Sequence, residues 1–168
     1  MITLPAFKQS DSSRCGPAAI KMVLAYYGVD QTEDEICKRC NHTYELGCTD
    51  LQMKTALESF GFTVEVYNNS SLLDIEYWIS RHMPVIVDWF TGGAHPSQGD
   101  MPNGHSGVVV GLDRENVYLM DPENAQVRSI LREDFVRVWF DWRAPIISSW
   151  EDMVIRQAIV AYPTLPVR

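Results

Sequence analysis

Between Pro17 and Tyr27 apolar residues recur at spacings of three and four, with Ala18, Ala19, Met22, Val23 and Tyr26 sharing one face. That spacing predicts a helix. Pro17 suits its first turn, where a missing N–H costs nothing, and Gly28 is a stop. Thr32-Glu33-Asp34-Glu35 has the form of a capping box and predicts a second helix to about Cys40. Thr49 or Asp50 caps a third helix ending at Gly61, and Ser70 or Ser71 a fourth through about Arg81. Between these two, Phe62-Thr63-Val64-Glu65-Val66 alternates as a strand does.

After Pro84 the period changes. Val85-Ile86-Val87-Asp88-Trp89 reads as a buried strand, and residues 91–104 as a loop rich in Gly, Pro and Asn. Strands are predicted over 105–112, 117–120, 125–129 and 154–162. A hairpin turn is predicted at 113–116 and a short helix over 132–139. The expected fold class is therefore α+β, one domain over 1–168. A helical lobe, about 1–82, packs on an antiparallel sheet lobe, about 83–168.

With 168 residues, 46% hydrophobic and 21% charged, the chain suits one soluble domain and excludes a disordered, collagenous or coiled-coil protein. Its net charge is −8, and no Lys/Arg cluster interrupts the acidic balance. This argues against nucleic acid and anionic lipid as partners. No apolar stretch approaches the roughly 18 residues of a membrane span. The N-terminus lacks a basic region followed by an apolar core, so the expected compartment is the cytoplasm. Cysteines at 15, 37, 40 and 48 then read as catalytic, metal-binding or buried rather than as a disulfide framework.

The most informative stretch is Gln9-Ser10-Asp11-Ser12-Ser13-Arg14-Cys15-Gly16-Pro17-Ala18-Ala19. It sets a cysteine at a helix N-terminus, where the dipole and free N–H groups favour the nucleophilic thiolate. Gly16 leaves space beside the sulfur for a substrate carbonyl. The Gln9 amide is placed to donate to a developing oxyanion, with the Cys15 N–H as second donor. A thiolate needs a base, and the base an orienting group. His105 opens a Val-rich strand, and Asp121 ends the next one. A hairpin of that length sets Asp121 beside His105, so one ring nitrogen meets the carboxylate while the other faces Cys15. Gly16, Trp89 and Gly104 are the positions expected to border the substrate, with Phe90 next to Trp89.

Gln, then Cys-Gly-Pro-Ala-Ala, then Gly-His before a Val-rich strand, then Asp-Pro, resembles the C39-like cysteine peptidases. This papain-like group includes the domains that remove double-glycine leader peptides from bacteriocin precursors. Gly47-Cys48-Thr49-Asp50-Leu51, Met83-Pro84-Val85-Ile86-Val87 and Asp134-Phe135-Val136-Arg137-Val138-Trp139 fit as well. The resemblance implies Cys15 as nucleophile, His105 as general base, Asp121 as orienter and Gln9 as oxyanion donor. It implies a peptide or protein substrate and neither metal nor organic cofactor. Leader-removing domains are usually fused to a membrane transporter, and no such part stands in this sequence. The chain looks more like the free-standing branch, so double-glycine specificity is not carried over. A partner protein that delivers substrate stays open. So do acyl transfer to an amine and a catalytically silent peptide-binding module.

Cys37, Cys40, His42 and Cys48 form a second group, Cys-x2-Cys-x-His-x5-Cys. A structural zinc site is one reading. Thiols packed under a short amphipathic helix are the plainer one. His95, in the 91–104 loop, reads as a solvated histidine or a partner of Asp100. Trp139, Phe140, Trp142 and Trp150 read as core and lobe-packing surface.

Overall fold

The computed structural model describes residues 1–90, 104–142 and 148–164. The first predicted helix forms as α1, Cys15–Tyr26, and is buried from Gly16 to Ile20 and from Met22 to Leu24. It ends where Gly28 takes a φ of 80°, a left-handed turn that glycine enters without a Cβ penalty. α2, Glu33–Arg39, starts at Thr32, whose hydroxyl accepts from the Glu35 N–H. α3, Asp50–Ser59, and α4, Leu72–Ser80, both open with full capping boxes, Thr49 with Gln52 and Ser71 with Asp74.

Six strands form one antiparallel sheet. They are β1 (Phe62–Tyr67), β2 (Val85–Phe90), β3 (Gly104–Leu112), β4 (Asn116–Asp121), β5 (Gln126–Leu131) and β8 (Ala158–Pro163). Their order is β1-β8-β2-β3-β4-β5. α5, Arg132–Val138, follows β5. β6 (Phe140–Trp142) and β7 (Met153–Ile155) pair as a separate hairpin.

Two features depart from the sequence expectation. The strand expected over 154–162 breaks in two. Arg156 adopts a φ of 47° and its N–H reaches the Trp139 carbonyl at 3.0 Å, so the chain turns from the hairpin into the main sheet. β1 also lies within the expected helical lobe, yet it pairs along its whole length with β8. Both halves of the chain therefore build the sheet.

Alternation sends the two strand faces into two cores. On one face Ile86, Val108, Val110, Met120 and Ile159 pack with Ile20, Leu24, Met53 and Leu57 of α1 and α3. On the other, Val85, Val87, Val109, Leu119 and Val160 pack with Ile75 of α4 and with Phe135 and Trp139. β2 is buried at every position but its last, as a strand covered on both faces must be. The Trp139 indole N–H donates to the Gln157 carbonyl at 2.7 Å, which satisfies a polar group in an apolar setting. Trp150 departs from its expected packing role and is 84% exposed. A register shift between Val109 and Gly111 marks a bulge in β3, and the Val110 carbonyl there accepts the Ile2 N–H at 2.6 Å. Ile2 and Leu4 are buried, so the N-terminal segment is tied to the sheet.

Ile20 is fully buried against the sheet. Ile20→Ala is expected to cost about 2–5 kcal/mol in urea unfolding, while Leu73→Ala, at an exposed position, stays within about 0.5 kcal/mol.

Candidate active site

Cys15 is the first residue of α1 and is half-buried. The loop before it is held by local bonds. Asp11 Oδ1 accepts from the Ser13 N–H at 2.9 Å and the Ser13 hydroxyl at 2.6 Å. Arg14 pairs with Asp11 at 2.9 Å and with Asp34 at the start of α2 at 2.7 Å. These contacts fix where the helix begins, and with it the sulfur. The first N–H groups of a helix have no acceptor within it, so the same end is a place where negative charge is stabilised.

His105 is the second residue of β3, and Asp121 the last of β4. The hairpin between them closes at Asp113, whose carboxylate accepts from the N–H groups of Glu115 and Asn116 at 2.9 and 2.7 Å. The closure brings His105 Nε2 within 2.7 Å of Asp121 Oδ1, across 16 residues of sequence. The Glu123 N–H donates to that same oxygen at 2.8 Å. Asp121 has no exposed surface. With Nε2 engaged, Nδ1 is the ring nitrogen left over, and Cys15 is near enough for its charge to act on the imidazole.

Burial alone would disfavour the imidazolium. The hydrogen bonds of Asp121 and Cys15, with their negative charge, override it and push His105 up to about 10. Burial also opposes ionisation of Asp121. The His105 hydrogen bond and charge, the Glu123 N–H and the Arg128 charge outweigh it and hold Asp121 below the usual carboxylate range. The three side chains named from the sequence are thus neighbours, and the strongest charge interactions of His105 are with the other two.

Over residues 1–144 the sequence matches the model of the Peptidase_C39 like family. The chain belongs to that family. It is a cysteine peptidase with the papain-like fold. This C39-like peptidase is 26% identical over 133 residues to the lactococcin transport/processing ATP-binding protein LcnC-like of Lactococcus lactis. The match takes in 78% of the chain but 17% of that relative, so the chain spans a small part of it. Among solved structures it is similar to the peptidase domain of Streptococcus ComA, described as a bi-functional ABC transporter. The TM-score is 0.71 at 21% identity, with 97% of this chain and 99% of that one covered. A C39-like peptidase described as putative from Bacillus anthracis superposes with a TM-score of 0.67 at 16% identity, covering 95% and 94%.

The remaining expected positions of the C39-like peptidase fall differently. The Gln9 N–H donates to the Pro122 carbonyl at 2.8 Å, which brings Gln9 next to Asp121. Its side-chain nitrogen donates to the Asp11 carbonyl at 2.7 Å, and its side-chain oxygen is buried without a partner. Gly16 is buried, and a Cβ there would lie 3.3 Å from the Met53 sulfur and 3.5 Å from Cys48 Cβ. Its small size serves the packing of α1 on α3. Trp89 is 3% exposed, so it packs beside His105, ring centres 6.0 Å apart, instead of bordering a substrate. At Gly104 a Cβ would overlap the Asp141 carboxylate, so glycine is required there by Asp141. His95 and Asp100 lie outside the described residues.

Sequence reasoning missed three groups. Arg128 of β5 forms an ion pair with Asp121 Oδ2. Drawing the β4–β5 register from the sequence would have found it, because Asp121 opposes Gln126 and Arg128 lies two residues on, along the same face. Asp88 accepts from the Ser106 hydroxyl at 2.8 Å, and burial pushes its carboxyl up to about 6. Burial likewise pushes Asp141 up to about 7, with the charge of Asp88 adding to it. Asp88 stands within the run read as a buried strand, whereas nothing in the sequence announces the burial of Asp141.

Among the described residues no group of three or more His, Cys, Asp or Glu side chains is arranged to hold a metal ion. His42 Nε2 instead meets the Ser13 hydroxyl at 3.1 Å and carbonyl at 3.0 Å, next to the Cys15 loop. Cys40 is fully buried beneath α2, and the Cys48 thiol is held protonated by its contact with Cys40 and by burial. No helix among the described residues is long and apolar enough to cross a membrane.

Between about pH 4, where an unfolded aspartate ionises, and about 6, folded Asp88 keeps a proton that the unfolded chain releases. Stability contributed by that proton is complete below this window and is lost as pH rises through it. Asp88→Asn removes the loss while keeping an acceptor for Ser106. The gain in Tm of Asp88→Asn over wild type is therefore expected to be larger at pH 7.5 than at pH 4.5.

Proposed function

We propose that this C39-like peptidase hydrolyses peptide bonds with Cys15 as nucleophile, His105 as acid and base, Asp121 as orienter and Gln9 as oxyanion donor. One observation supports this reading above the rest: His105 Nε2 meets the buried Asp121 carboxylate at 2.7 Å, which leaves Nδ1 free, and Cys15 is near enough to act on the ring.

The Cys15 thiol passes its proton to His105, its sulfur attacks the carbonyl carbon and the C=O electron pair moves onto oxygen. The Gln9 amide has a second hydrogen beyond the one it gives Asp11. That hydrogen and the backbone N–H at the start of α1 receive the oxyanion. His105 gives its proton to the leaving nitrogen, the C–N bond breaks and a thioester remains. Water then loses a proton to His105 as its oxygen attacks the thioester, and the carboxylate product leaves as the C–S bond breaks. Asp121 keeps the ring in one tautomer and offsets the imidazolium charge.

The substrate is a peptide or an exposed segment of a protein. One structure similar to this chain is a double glycine motif protease from an AMS/PCAT transporter in complex with a leader peptide. It is 20% identical with a TM-score of 0.66, covering 96% of this chain and 93% of that one. A peptide in extended form suits a cleft whose nucleophile and base come from opposite sides. All four cysteines are unbridged, which suits a reducing compartment such as the cytoplasm.

A peptide library made from a digested proteome, incubated with the protein and read by mass spectrometry, tests the reading. New N-termini are expected with wild type and absent with Cys15→Ala, and equal cleavage by Cys15→Ala would sink it. Asp121→Asn is expected to lower the cleavage rate by up to about 10⁴-fold, because the ring loses its orienting charge.

A further inference from the structure

One face of the sheet carries a row of four side chains across four strands. Trp89 of β2 stands opposite His105 of β3. His105 meets Asp121 of β4 at 2.7 Å, and Asp121 meets Arg128 of β5. The acceptor positions of Asp121 divide between the two sides. Oδ1 takes His105 Nε2 and the Glu123 N–H, while Oδ2 accepts no hydrogen bond and faces the Arg128 guanidinium as an ion pair. Asp121 has no exposed surface, so no bulk water stands in for a lost partner.

Arg128 is itself held in three ways. Its Nη2 donates to Glu123 at 3.2 Å, its guanidinium lies 5.8 Å from the Trp89 ring centre, and its Nε is on Asp121. One planar cation thus spans the carboxylate that orients His105 and the indole that packs against His105.

We propose that Arg128 is a positioning residue for the reaction: by clamping Oδ2 it keeps Asp121 ionised and turned so that Oδ1 stays on His105. The inference rests on the roles assigned above to Cys15, His105 and Asp121. Without Arg128, the buried carboxylate takes up a proton more readily or rotates, and the support of the imidazolium weakens. The charged and titratable groups around His105 are Cys15 from α1, Asp121 from β4, Asp88 from β2 and Asp141 from β6. Those around Asp121 are His105 and Arg128. A change at Arg128 therefore reaches Cys15 through Asp121 and His105.

The test reads the rate of Cys15 alkylation by iodoacetamide against pH, resolved by peptide mass mapping, which needs no known substrate. The proteins are wild type, Arg128→Met, Arg128→Lys, Asp121→Asn and the double variant Asp121→Asn with Arg128→Met. Arg128→Met is expected to slow labelling at neutral pH at least about 10-fold and to move its onset up by about 1 pH unit or more, the size of one close ion pair. Lysine keeps the charge without the fork, so Arg128→Lys is expected to recover part of the rate. In the Asp121→Asn background, Arg128→Met is expected to change the rate less than about 2-fold, because its route is already cut.

A wild-type pH profile in Arg128→Met would overturn the proposal, and so would an undiminished effect in the Asp121→Asn background. If Arg128→Met does not fold, by near-UV circular dichroism, Arg128→Lys carries the test: a wild-type rate and profile there would show that the fork is not needed. Cleavage by Cys15→Ala would refute the peptidase roles, whereas silence of Arg128 with a strong Asp121→Asn effect would refute only this inference.

Discussion

Asp121 is a carboxylate with no access to solvent, and it must be surrounded by donors or lose its charge. Its two donors and its counter-charge come from three places that no short stretch of sequence supplies together. His105 arrives from the neighbouring strand, the Glu123 N–H from the turn that follows, and Arg128 from the strand beyond. Each is correctly placed only if the β3–β4 and β4–β5 registers are right. A slip of one residue would send the side chains to the other face. The apolar alternation that fills the two cores sets those registers, so the packing of the sheet and the ionisation of one aspartate depend on each other.

Cys15, the proposed nucleophile, is placed by different means. Cys15 takes its position from a helix buried almost along its whole length, and from a loop tied down by Asp11 and Arg14. The helix meets the sheet through Ile20 and Leu24 against Val108 and Val110, so the distance between sulfur and imidazole is a packing distance. Gly16 contributes through close approach to Met53 and Cys48, which lets α1 and α3 sit together beneath the site. Close packing shifts little under load, which suits the role proposed for Cys15, where geometry must be held in a narrow range.

Much of this was legible in the sequence because it rests on local patterns. The helix opening at Cys15, the hairpin from His105 to Asp121 and the capped starts of α3 and α4 follow from spacing and capping residues. What stayed hidden is long-range. The pairing of β1 with β8 joins residues about a hundred positions apart, and no local pattern encodes it. Arg128 reads as an ordinary exposed residue of an edge strand until the register is drawn. Trp89 and Trp150 show that aromatic character alone does not fix depth: one is buried beside His105 and the other stands in solvent. The burial of Asp141 is hidden for the same reason, since it arises where β6 meets β2 and β3.

The order of strands has a consequence for the life of the chain before it is finished. β8 lies between β1 and β2, so the sheet stays split until residues 158–163 have emerged, long after Cys15, His105 and Asp121 have been made. A newly made chain must close this long-range pairing before β1 joins the rest of the sheet.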